Sequence, residues 1–223
     1  DRIREHLAND KKRLRALNIQ NELYVHSNLP DGRIRFGDQF INDTEFIHYA
    51  EIDVVPRMQD NTLVLVHGFG GSNNIFYRMI SYLAAYFHII AIDLPGMALS
   101  SRVQSRDHFN DTESCLRFFT DRLHMFLDSM QLGRVHLVGH SIGSYITTHY
   151  FDAHSERVVK LYMLSPAGFN HADEHSLKTY QTALDDMPYF KRRLFGYVRD
   201  QVFKQKRSPF ETGWIPFKRY LIK

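Results

Sequence analysis

Apolar residues follow two different periods along this chain. In residues 1–26, Ile3, Leu7, Leu14, Leu17 and Ile19 stand among many charges, a spacing that predicts an amphipathic basic helix rather than a strand. The run Asn28-Leu29-Pro30-Asp31-Gly32 breaks that pattern. Residues 33–41 and 45–52, joined by Asn42-Asp43, then read as an antiparallel hairpin. From Thr62 short apolar runs alternate with helical stripes. Residues 62–66, 87–93, 135–138 and 158–164 predict strands, and residues 73–87, 112–130 and 145–153 predict helices. The first of these helices carries Phe76, Ile80, Leu83 and Phe87 along one face, and the second Leu116, Phe119, Leu123 and Met130. Such alternation is the signature of an α/β fold, a mainly parallel sheet covered by helices on both faces.

After Gly168 the alternation stops. The remainder is aromatic and basic, as in Tyr189-Phe190-Lys191-Arg192-Arg193, and predicts a helical insertion without a further central strand. Three parts follow: an amphipathic segment over 1–26, an α/β core over 27–170 and a partial helical lid over 171–223.

Composition narrows the choices only a little. The 223 residues, 43% hydrophobic and 24% charged, can bury a single-domain core. A net charge of +3 without a long basic block gives no electrostatic case for nucleic acid, while a peripheral membrane contact stays open. No window approaches the roughly 18 unbroken apolar residues of a spanning helix. Cys115 is the single cysteine, and no Cys/His ligand spacing accompanies it, so neither an internal disulfide nor a structural zinc is expected. A reducing, intracellular compartment follows, cytoplasmic or inside an organelle. No phosphate-cradling loop and no dinucleotide fingerprint is present, so no cofactor and no metal are expected.

The chemistry concentrates in two glycine-rich runs. Gly139-His140-Ser141-Ile142-Gly143 follows a strand and precedes a helix, the setting in which a serine hydroxyl is held exposed on a tight turn as a nucleophile. Ser141 is therefore the candidate catalytic residue. His67-Gly68-Phe69-Gly70-Gly71-Ser72 follows the strand ending at Val66. In acyl-transfer enzymes of this architecture the oxyanion is held by the N–H after the nucleophile and one from this loop, here the backbone N–H groups of Ile142 and Phe69. His67 fits a loop-fixing hydrogen-bond role better than that of the base.

These runs, together with Asp93-Leu94-Pro95-Gly96-Met97-Ala98-Leu99-Ser100-Ser101-Arg102 and Ser165-Pro166-Ala167-Gly168-Phe169, resemble the α/β-hydrolase family. More narrowly they are similar to its lipid-acting branch of lysophospholipases, N-acyl phospholipid hydrolases and the co-activator of adipose triglyceride lipase. Ala98 departs from that pattern, standing where those relatives usually carry a second glycine. The resemblance implies a serine hydrolase that cleaves an ester or amide bond of a lipid or phospholipid through an acyl-enzyme at Ser141. Its alternative is a non-catalytic, hydrolase-like remnant acting as a structural or co-activator subunit. The co-activator relative lacks the serine at this turn, and its presence here favours catalysis.

The resemblance also implies a catalytic acid and a histidine on two further strands after the lid, so the chain is expected to stop within the lid. After Ser141 the compact group His171, Asp173 and His175 is the remaining acid and histidine cluster, and it reads as a polar loop opening the lid. His48/Asp53 and His88/Asp93 match the spacing of an acyltransferase motif, but five residues along a strand sets side chains on opposite faces. A sheet ending one strand after Ser141 would leave an open apolar edge, to be covered by further chain or by a protein partner.

Overall fold

The computed structural model describes residues 10–30, 32–103 and 111–167. Ile3 and Leu7, His171, Asp173 and His175, and the aromatic and basic lid lie outside the described residues. Six strands form one sheet in the order β1-β2-β4-β3-β5-β6. β1 (Ile34–Phe40) and β2 (Phe46–Ile52) make the antiparallel hairpin, in register from Ile34 opposite Ile52 to Phe40 opposite Phe46. β2 also lies antiparallel to β4 (His88–Ile92). β4, β3 (Thr62–Val66), β5 (Val135–His140) and β6 (Val158–Leu164) are then parallel neighbours in that order. β3 and β4 are buried along their whole length, which is why both read as unbroken apolar runs rather than alternating ones.

Helices cover both faces. On one, Tyr24 of α1 (Lys11–Val25) and Ile80 of α2 (Tyr77–Leu83) pack with Ala50, Ile52, Leu63, Leu65, Ile89 and Ala91. On the other, Phe126 of α3 (Thr112–Ser129) meets the Tyr49 ring edge-on at 5.9 Å. Tyr150 of α4 (Ile142–Ala153) joins that layer through its hydroxyl, 3.1 Å from Nδ1 of His124. The sheet lies in a compact unit that runs to Ser101 and resumes at Phe119, while Arg102–Phe118 belong to a second unit. In that second unit the Asp111 carboxylate caps the start of α3 by accepting the Ser114 N–H at 2.7 Å.

Three elements differ from the hydrophobic pattern. The segment after β3 starts as a 3-10 turn, Asn73–Phe76, and α2 ends at Leu83 instead of residue 87. The N–H groups of Tyr86 and Phe87 both converge on the Leu83 carbonyl, and that of His88 turns to Asn61, opening β4. α4 begins at Ile142, three residues before the predicted start, because Ser141 itself forms the turn. The third difference concerns the helix over the N-terminal segment. Leu14 and Ile19 of its expected apolar stripe are exposed, at 43% and 54%, and the buried side chains are Arg13, Gln20 and Tyr24. Each of these has a hydrogen-bond partner on the sheet or its loops, so Arg13 and Gln20 are buried through polar contacts, and Tyr24 adds apolar packing to its bond.

Candidate active site

Ser141 is the one residue between the end of β5 and the start of α4, and it sits at φ 54° and ψ −118°. L-residues avoid that region because Cβ crowds the backbone, so the conformation must be imposed by its neighbours. The Ser141 N–H donates to the Leu164 carbonyl at the end of β6 at 3.0 Å, and the Ser141 carbonyl accepts from Ser144 and Ala167. Side-chain hydroxyls complete the knot. Ser144 Oγ donates to the Gly139 carbonyl, and Thr147 and Thr148 donate to the Ser144 carbonyl at 3.1 and 2.8 Å.

The two flanking glycines are required by close approach. A Cβ on Gly139 would overlap the backbone of Ser144, and one on Gly143 would overlap the carbonyl oxygens of Val66 and His67. The first contact brings α4 back against β5, and the second seats its first turn on the end of β3. Ser141 is half-buried at the carboxyl end of β5, and Ile142 is 6% exposed.

The loop after β3 lies against this turn. A Cβ on Gly68 would fall 2.9 Å from the Ser141 Cβ and 3.0 Å from His140 Nδ1. The Gly71 N–H closes the loop on the Gly68 carbonyl at 3.1 Å, and Phe69 is half-buried. His67 is fully buried; its Nε2 accepts the Leu94 N–H at 2.9 Å and its Nδ1 lies 2.6 Å from the Gly68 carbonyl. Since Nε2 accepts, the network assigns the ring proton to Nδ1, donating to Gly68. Burial pushes the His67 imidazole below its ordinary pKa, against the pull of the Asp93 carboxylate. Both nitrogens hold loops in place.

Asp93 is the residue for which the hydrophobic pattern gives no role. It is 1% exposed, and its carboxylate accepts the N–H of Asn73 at 2.7 Å and of Leu99 at 3.0 Å. Its signal was the run Asp93-Leu94-Pro95-Gly96, which closes on itself through Ser100 Oγ donating to the Asp93 carbonyl at 2.7 Å. Ala98, in place of the usual glycine, adopts φ 44°. The chain keeps the left-handed turn without the residue best suited to it.

Neither His-Asp spacing pairs. His48 faces Asp38 at 2.8 Å and Gln20 at 3.0 Å, and His88 faces Glu51 at 3.0 Å. Among the described residues no histidine or carboxylate hydrogen-bonds the Ser141 hydroxyl, and no group of three or more His, Cys, Asp or Glu is placed to hold a metal ion. No described helix is long and apolar enough to cross a membrane.

The sequence model of the family described as alpha/beta hydrolase fold matches residues 61–204. The chain belongs to the α/β-hydrolase fold family. Among relatives of this α/β hydrolase, a 1-acylglycerol-3-phosphate O-acyltransferase of Arabidopsis thaliana is 31% identical over 167 residues, covering 74% of this chain and 39% of that protein. A (lyso)-N-acylphosphatidylethanolamine lipase of Mus musculus is 32% identical over 119 residues, 53% of this chain and 34% of the mouse protein. The α/β hydrolase described here thus spans little more than a third of the length of these two relatives. Among solved structures, a bacterial membrane phospholipase A superposes with a TM-score of 0.64 at 19% identity, covering 97% of this chain and 71% of that one. At that identity the likeness is one of fold.

Proposed function

We propose that this chain carries the nucleophile and oxyanion-binding parts of a serine hydrolase that cleaves an ester or amide bond of a lipid. Ser141 Oγ attacks the acyl carbonyl carbon, the carbonyl oxygen becomes an oxyanion, and the alcohol or amine leaves with a proton. The N–H groups of Phe69 and Ile142 receive the oxyanion, and the positive end of α4 adds to its stabilisation. The acyl-enzyme is then discharged by an acceptor. A histidine and an acid outside the described residues take up and return the proton. The observation that carries this reading is the strained backbone of Ser141 at the strand-to-helix turn, with the glycine loop packed beside it.

A lipid acyl group as substrate is supported by the names of the Arabidopsis and mouse relatives. The former also supports a lysophospholipid alcohol, in place of water, as a second acceptor. A fluorophosphonate probe tests the nucleophile. Labelling at Ser141, absent in Ser141→Ala, is expected, and a folded wild-type protein that stays unlabelled would instead favour a non-catalytic subunit or a chain tested without its histidine and acid. Vesicles containing an N-acyl phospholipid, with and without 1-acylglycerol-3-phosphate, separate the acceptors: free fatty acid marks hydrolysis, and diacylated product marks transfer.

A further inference from the structure

α1 buries polar side chains in a line. Arg13, Gln20 and Tyr24 are 9%, 1% and 1% exposed, and their spacing of seven and four residues sets them on one helical face. Arg13 reaches one part of the fold, and Gln20 and Tyr24 converge on another. Arg13 pairs with Asp38 on β1 and donates to the Leu99 carbonyl at 2.6 Å. Gln20 lies between His48 of β2 and Asn73, with its Nε2 donating to Asn73 Oδ1 at 2.8 Å. The Tyr24 hydroxyl lies 3.1 Å from the Asn73 carbonyl and 3.0 Å from its Oδ1. Burial, and after it the Asp93 carboxylate, push the Tyr24 hydroxyl far up, so it remains a donor.

Asn73 therefore gathers bonds from Gln20 and Tyr24. It is fully buried, it follows directly on the glycine loop 67–72, and its own N–H is held by Asp93. Its Nδ2 has no partner among the described residues, a cost that an apolar residue would avoid. What Asn73 provides in return is an anchor: the far end of the loop is fixed by α1 and Asp93, as the near end is fixed by His67.

We propose that α1 is a positioning element for the loop beside Ser141, in which Gln20 and Tyr24 clamp Asn73 and so set where the Phe69 N–H stands. The inference rests on the hydrolase reading for its catalytic half only. Oxyanion donors act through placement, and a shift of about 1 Å at such a site can cost on the order of 100-fold in rate. Gln20 and Tyr24 touch no reacting atom. Their effect is confined to the transition state, where the oxyanion forms.

Two conservative variants, Tyr24→Phe and Gln20→Met, remove the bonds while keeping the volume. Amide hydrogen exchange reads the clamp, and kcat per fluorophosphonate-titrated Ser141 on p-nitrophenyl butyrate reads its use. Exchange at residues 68–73 is expected to rise about tenfold or more, with β3 and β5 unchanged, while kcat per titrated site falls about 10- to 100-fold and KM stays within about twofold. A purely structural role would lower the titratable fraction and leave kcat per site alone, which would overturn the proposal. Unchanged exchange at 68–73 in a folded variant removes the clamp itself. Wild-type protein that the probe fails to label overturns the catalytic half together with the hydrolase reading of this chain by itself, and exchange then judges the clamp separately.

Discussion

The N–H of Leu94 donates to Nε2 of His67 at 2.9 Å, tying the loop after β4 to the loop after β3. That bond requires a neutral ring with a free lone pair on Nε2. Protonating His67 in place would break it and bury a cation.

The pH dependence of stability follows from that contact. Burial holds the folded His67 below its ordinary pKa, whereas the unfolded ring titrates near about 6.5. Stabilisation is therefore complete above about pH 6.5 and is lost as pH falls through the folded value, because the unfolded chain binds the proton more readily. Urea unfolding between pH 8 and 5 should show stability falling toward acid, with a shallower fall in His67→Gln.

A second acid-sensitive contact lies under α1. Burial raises the Asp38 carboxyl, but the hydrogen bond from His48 and the charge of Arg13 outweigh it, and the net shift is downward. This stabilisation is complete above about pH 4 and is lost as pH falls through the folded value. Asp38→Asn should cost about 1–2 kcal/mol at neutral pH, the carboxylate being partly exposed. It should also flatten the stability curve below pH 4, leaving the His67 window untouched.

Strain at Ser141 should be measurable apart from chemistry. A residue held in such a region stores about 1–3 kcal/mol, and glycine relieves it while losing some backbone entropy. Ser141→Gly is expected to unfold about 1 kcal/mol later than wild type and to be inert to the fluorophosphonate. Ser141→Ala, which keeps a Cβ, should be equally inert without that gain. Equal thermal midpoints for the two variants would contradict the strain.

Ala98 offers a similar test away from the turn. At φ 44° it bears a left-handed penalty of about 1–2 kcal/mol. Ala98→Gly should raise the melting temperature by a few degrees, and Ala98→Val, branched at Cβ, should lower it. Calorimetry on the three proteins checks the order.

The sheet was legible because its central strands are buried on both faces. β3 and β4 have no solvent side to interrupt them, so Thr62–Val66 and His88–Ile92 stand out as apolar runs. The turn at Ser141 was legible for a steric reason, since only glycine fits at 139 and 143. α1 is a helix as its spacing predicts, but its buried face differs because a hydrophobic pattern assumes that buried means apolar. Arg13, Gln20 and Tyr24 are buried through partners far along the chain, Leu99 and Asn73 among them. No window around residue 20 contains those partners. The end of α2 escaped for a related reason: Leu83 and Phe87 keep the helical spacing, but the backbone leaves the helix between them to begin β4.

The strand order β1-β2-β4-β3-β5-β6 also sets a timetable for synthesis. The hairpin is translated before β4, the strand that pairs with it, and β4 itself comes only after β3. At ribosomal speeds of about 5–20 residues per second, the Ala50–Ile52 edge waits some seconds for Ile89–Ala91, its antiparallel partners. A nascent chain halted before His88 leaves the ribosome presenting that apolar edge to chaperones.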